Sequence, residues 1–120
     1  MATSYPLSTW IGLIGTPFLI ATGQVLFKLT SAQTGKADLH GLIALVFNPL
    51  LISALALYGF GTIVWIYILK AVPLTVAYSF MGLTFCFVPL LALLFLGDAV
   101  TARYLIGAIF IVAGMLIINV

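Results

Sequence analysis

The groups in this chain that could recognise charge or sugar are few, and their spacing limits what they can do. Gln24 and Lys28 stand four residues apart in an apolar stretch. On a helix they share one face, where together they could meet a headgroup phosphate or sugar. A lysine near a helix end also reaches lipid headgroups on its own stem, whereas the deeper Gln24 marks an interior polar face. Tyr58, Gly61, Thr62 and Trp65 fall on one face at the 3.6-residue period, and Tyr78, Met81, Gly82 and Phe85 do the same in the next stretch. Aromatic rings with polar tips suit a cavity for a ligand that is part apolar and part polar; packing or anchoring is the plainer use of the same residues. Tyr67 and Tyr104, nearer the ends of their stretches, read as anchors at the membrane surface.

What is missing is as informative. No Asp or Glu lies inside any of the long apolar stretches. Proton exchange at membrane depth rests on a carboxylate or histidine whose pKa burial has moved. Asp98 falls in a turn and His40 in a loop, so proton-coupled cation export is disfavoured. The single cysteine, Cys86, sits in an apolar run, can form no disulfide within the chain, and reads as a small packing residue. No metal, cofactor or catalytic residue is expected.

The elements that must position these residues are membrane spans. Of 120 residues, 65% are hydrophobic and 5% charged, where a soluble domain carries about 25% charged residues. Lys28, Lys36, Asp38, Lys70, Asp98 and Arg103 all fall at the ends of apolar stretches or between them. The net charge of +2 is a loop property and gives no reason to expect nucleic acid. The stretch from Leu74 to Leu96 would rise roughly 34 Å as a helix, enough for a bilayer core of about 30 Å. Four spans are predicted, at about residues 10–29, 49–69, 74–96 and 102–119. Trp10 opens the first at the interface, and Pro17 loosens it. Asn48 caps the second with Pro49 as its first helical residue; residues 39–47 are either an interfacial turn or an extension broken at Pro49. Thr101 caps the fourth, after a turn at Gly97-Asp98. The N-terminal segment to Thr9 has no Lys or Arg, which argues against a cleaved signal peptide, so the first span is expected to be retained.

Four spans put both termini on one side. Lys28, Lys36 and Arg103 lie toward the other side, against Lys70 alone, which tilts the loops at 31–40 and 97–101 toward the cytoplasm by two charges and leaves both orientations open. Gly107 and Gly114, seven apart with Ala108 and Ala113 beside them, form a small-residue surface of the kind that lets helices in lipid approach closely. We read it as a dimer interface. Four helices barely enclose a pathway, and transporters are often built from two oppositely oriented repeats.

Residues 72–78, the Gly97-Asp98 turn and residues 107–114 resemble the four-span members of the drug/metabolite transporter superfamily. Two branches compete: the small multidrug resistance exporters, and the paired subunits that flip undecaprenyl phosphate–aminoarabinose. Gly23-Gln24 with Lys28, Leu83-Thr84-Phe85 with Val88, and Val100, Arg103 and Gly107 resemble the second branch. The multidrug branch carries a glutamate in span one; alignment on Lys28 puts Ile20 there, which cannot bind a proton or a cation.

The resemblance implies an all-α integral membrane protein of the bacterial inner membrane, one half of an inverted-repeat transporter. It would act as a homodimer, or as a heterodimer with a similar four-span subunit, and move a polyprenyl-phosphate-linked sugar between leaflets. The carrier's tail stays in the lipid, so only the headgroup needs a polar path. Lys28 and Arg103 would neutralise the phosphate, while Gln24, Tyr58, Trp65 and Tyr78 would meet the sugar and the first isoprene units. The competing readings are a proton-coupled exporter of hydrophobic cations and a non-transporting assembly subunit.

Overall fold

Each helix begins and ends where the local chemistry requires. The computed structural model describes residues 5–119; residues 1–4 of the polar N-terminal segment and residue 120 lie outside it. The elements are α1 (Leu7–Gln33), α2 (Leu39–Val46), α3 (Pro49–Ala71), α4 (Leu74–Ser79), a 3-10 turn (Phe80–Leu83), α5 (Thr84–Phe95) and α6 (Ala102–Ile118). Asp38 caps α2 by accepting from the Gly41 amide at 2.7 Å. Asn48 caps α3 by accepting from Leu50 at 2.9 Å, with Pro49 in the first turn where a missing N–H costs nothing. Thr101 caps α6, its hydroxyl accepting from the Tyr104 amide at 3.1 Å. Residues 39–46 thus form a short helix of their own, closed by Phe47 and separated from α3 by its cap.

The turns are equally local. Val72 is extended, as the residue before a proline must be, and α3 ends there with Lys70 in its last turn. Lys70 also lies 5.9 Å from the centre of the Tyr67 ring. After α5, the Ala92 carbonyl accepts from both the Leu96 and Asp98 amides, and Gly97 between them takes a φ of +70°. That left-handed conformation is open to glycine at little cost.

Three helical stretches are long and apolar enough to cross a membrane: Leu7–Gln33, Pro49–Ala71 and Leu74–Phe95. α6 is a shorter apolar helix of 17 residues, about 25 Å long. The third stretch is not one continuous α-helix as the sequence suggested, because the 3-10 turn interrupts it. The hydroxyls on either side of the turn satisfy carbonyls there, Ser79 donating to Val76 and Thr84 to Met81, both at 2.6 Å.

α1 is the central helix. It runs antiparallel to α3, with Gly12 facing Ile68 and Gly23 facing Tyr58. It runs alongside α5 in the same direction, Phe18 meeting Phe87 edge-on at 5.6 Å and Val25 packing with Leu91 and Leu96 further along. A second cluster, of Leu13, Ile68, Val72, Val76, Ala77, Phe80 and Met115, closes the other end. Trp10 belongs to this end: half-buried near the start of α1, it meets Phe80 at 5.9 Å and Tyr5 at 5.8 Å. Small residues at the contacts, Ala21, Ala54 and Ala77, are fully buried, which is how helices gain close packing where lipid removes the hydrophobic drive to associate. The large side chains turned outward, among them Ile11, Phe60, Ile66, Leu94, Ile109, Phe110 and Ile117, are more than half exposed and suit a lipid surround.

α6 is lightly attached. Its Ala108 and Met115 are buried, and Asn119 donates to the Ser79 hydroxyl at 3.1 Å. Pro89 has no N–H, so the Phe85 carbonyl loses its helical donor. The Tyr104 hydroxyl of α6 donates to that carbonyl at 3.1 Å. Tyr104, expected as a surface anchor, thereby also repairs a proline-broken hydrogen bond across two helices. Between α5 and α6 runs an apolar groove of about 800 Å³, lined by Leu90, Leu93, Ala108, Val112 and their neighbours.

Candidate functional site

A cavity of about 370 Å³ lies halfway along the bundle, between α1, α3 and the interrupted third stretch. α1 contributes Thr16, Leu19 and Ile20; α3 contributes Leu57, Tyr58, Gly61, Thr62 and Trp65; the third stretch contributes Tyr78, Met81 and Thr84. The predicted face of α3 is here in full, because α3 is an unbroken helix and keeps its 3.6 period. The predicted face of the third stretch is only partly here. Tyr78 and Met81 line the cavity, but Phe85 lines the α5–α6 groove and Gly82 abuts Ile111 of α6, a Cβ there meeting its Cγ2 at 3.2 Å. The 3-10 turn falls between Tyr78 and Phe85 and breaks the spacing that would have kept them together. Thr84, not expected, takes Phe85's place.

Tyr58 is the best-held residue of the site. Its ring stacks on Phe27 with centroids 5.2 Å apart and planes at 24°. Its hydroxyl accepts from the Gln24 amide group at 2.5 Å. Its edge lies on Gly23, where even a single added carbon would come within 2.4 Å of the ring. The Gly23-Gln24 pair is therefore a seat for Tyr58: the glycine makes room and the glutamine fixes the phenol. Gln24 acts through this bond and does not itself line the cavity.

Lys28 and Arg103 lie outside the cavity, both exposed. The helix directions nonetheless bring them to the same end of the bundle. Lys28 stands in the C-terminal part of α1 and Arg103 in the first turn of α6, which follows the end of α5. At that end Asn48 also donates to Gln33 at 3.1 Å, holding the start of α3 to the end of α1. Gly107 and Gly114 have nothing within 4 Å of an added Cβ, so within one chain their face is open. Arg103 falls on that same face at helical spacing.

Chemically, the cavity offers hydroxyls, phenols, an indole and apolar walls. The position occupied by Ile20 on its wall is apolar, and among the described residues no group of three His, Cys, Asp or Glu comes together where it could hold a metal. The arrangement can hydrogen-bond and stack on a neutral or weakly charged polar group at membrane depth.

The chain is similar to proteins named as the probable 4-amino-4-deoxy-L-arabinose-phosphoundecaprenol flippase subunit ArnE. The relative from Pseudomonas aeruginosa (strain UCBPP-PA14) is 31% identical over 107 residues, covering 89% of this chain and 93% of its own. The relative from Yersinia pseudotuberculosis serotype O:1b (strain IP 31758) is 29% identical over 113 residues, covering 94% of this chain and 97% of its own. That from Enterobacter sp. (strain 638) is 24% identical over 111 residues, covering 92% and 96%. No family model matches the chain, and no solved structure does.

Proposed function

The chain belongs to the family of the aminoarabinose-phosphoundecaprenol flippase subunits, and from that premise we propose that it carries a sugar headgroup, of the aminoarabinose type, across the bacterial inner membrane on its polyprenyl-phosphate carrier. The observation that supports this most directly is the cavity itself: Tyr58, Thr62, Trp65, Tyr78 and Thr84 gathered at membrane depth with no carboxylate among them. A sugar is recognised by stacking and hydroxyl contacts, which these residues supply. The isoprenoid tail remains in lipid, so a small cavity suffices. Lys28 and Arg103 meet the phosphate at the end of the bundle they share. No bond is made or broken in this process. Ile20 on the cavity wall speaks against the proton-coupled export of cations, which needs an ionisable group there.

The test is flipping in proteoliposomes. With no acid at membrane depth, headgroup movement is expected to continue at an unchanged rate when the pH gradient is collapsed by an ionophore. Strict dependence on that gradient would count against the reading and turn attention to Asp98 or His40.

The working unit is a dimer with a second four-span subunit, α6 serving as the fourth span. The open face of Gly107 and Gly114 is where the second subunit packs, and Arg103 then stands at the seam between the two. Gly114→Leu places a bulky side chain where two backbones meet and is expected to shift the complex toward monomer in detergent sizing and cross-linking. An unchanged oligomer would place the interface elsewhere.

A further inference from the structure

Thr16 is the one described side chain with a buried polar atom, its Oγ1, that has no hydrogen-bond partner. The residue is 2% exposed and lines the cavity from α1, one turn before Ile20. Several threonines elsewhere in the helices return their hydroxyls to their own backbone. Thr22 donates to Phe18, Thr30 to Leu26 and Thr62 to Tyr58, each four residues back, at 2.7–2.9 Å. This is the ordinary way for a hydroxyl to be satisfied in lipid. Thr16 does not do it, and it sits beside Pro17, whose missing N–H also leaves the Leu13 carbonyl without its helical donor. A buried hydroxyl is costly when unpaired and rewarding when a ligand pairs it.

We propose that the Thr16 hydroxyl is a specificity-determining contact of the cavity: buried and unpaired beside the wall, it turns about χ1 into the cavity when the headgroup enters and pairs with a hydroxyl or amine of the bound sugar. The inference rests on the transport reading given above and adds to it a residue that reads the sugar itself, apart from the phosphate and the tail. A site built to hydrogen-bond a substrate group discriminates against ligands lacking it, because the protein group is then left unpaired. Thr16 therefore separates the sugar-bearing carrier from the bare carrier phosphate.

The experiment uses the full chain in proteoliposomes with its partner subunit. Trp65 on the cavity wall reports occupancy by fluorescence. The probes are undecaprenyl phosphate bearing 4-amino-4-deoxy-L-arabinose and undecaprenyl phosphate alone. Thr16→Val keeps the shape and removes the hydroxyl. The preference of the wild type for the sugar-bearing lipid is expected to fall roughly 3- to 10-fold in this variant, the loss of one neutral hydrogen bond, while binding of the bare phosphate is unchanged. The thermal midpoint of Thr16→Val is expected to rise, since an unpaired buried hydroxyl is gone, and Thr16→Ser is expected to restore the preference. If Thr16→Val is more stable and keeps the full preference, the hydroxyl is only an unpaired structural group; the contact is wrong and the transport reading stands. If the wild type shows no preference for the sugar-bearing lipid, the transport reading fails and the contact with it.

Discussion

Gly23→Ala is expected to lower transport of the lipid-linked sugar roughly 5- to 150-fold while the protein still inserts. The added carbon would stand 2.4 Å from Cε2 and 2.7 Å from Cδ2 of Tyr58. The ring cannot yield cheaply. Phe27 stacks on it and Gln24 holds its hydroxyl, so moving it breaks both contacts and pushes a phenol toward the cavity that Thr62 and Trp65 share with it. Overfilling a packed site typically costs about 1–3 kcal/mol, and about 1.4 kcal/mol is a tenfold change in affinity or rate, which gives the range above. Gly15→Ala is the control, because an added Cβ there meets nothing within 4 Å; it should transport at the wild-type rate. Wild-type transport by Gly23→Ala, with normal expression, would show that the position of Tyr58 does not matter to the substrate.

The second large effect concerns Lys28 and Arg103. A sugar–phosphate headgroup arriving at their shared end of the bundle brings negative charge out of water, and a charge-assisted contact contributes about 1.5–3 kcal/mol, or roughly 10- to 150-fold in binding. Both side chains are exposed, so the lower part of that range is the better expectation for either one. Lys28→Ala and Arg103→Ala are each expected to reduce transport with insertion intact. Arg103→Lys should recover part of it, since lysine supplies charge without the planar fork that fits a phosphate. Raising the salt concentration should weaken binding in the wild type more than in Lys28→Ala. Should Lys28→Gln and Arg103→Gln both transport at wild-type rates, the two residues only anchor helix ends to lipid.

Much of this architecture was legible in the sequence because membrane helices are written in length and composition. The caps at Asn48 and Thr101 and the α3 face of Tyr58, Gly61, Thr62 and Trp65 all follow from local rules that tertiary contacts do not override. Expectation and structure part where position depends on a break in local geometry or on a partner distant in sequence. Nothing in the run from Leu74 to Leu96 announces a 3-10 turn except Gly82 between two hydroxyl residues, so an unbroken helical period sets Phe85 on the cavity face, whereas the turn sends it to the α5–α6 groove. The contact of Trp10 with Phe80 joins residues 70 apart, a pairing that no local pattern announces. Tyr104 had a signal that could have been read: Pro89 implies an unpaired carbonyl at Phe85, and a nearby helix with a phenol can fill it. Thr16 left no mark at all in the sequence, since a threonine that declines its own backbone looks like any other.

The four residues Phe80–Leu83 also make the third stretch a screw. A 3-10 helix advances about 2.0 Å and 120° per residue, an α-helix about 1.5 Å and 100°. Rewinding those four residues as α-helix would therefore shorten the stretch by about 2 Å and rotate α5 by about 80° relative to α4. Such a rotation is close to the angle that separates neighbouring faces of a helix. It would change which of Thr84 and Phe85 is presented to the cavity, with Tyr78 held in place on α4. Exchanging a hydroxyl for a phenyl ring on the wall would change what the cavity can hold through a turn of α5 alone, with α1, α3 and α4 in place.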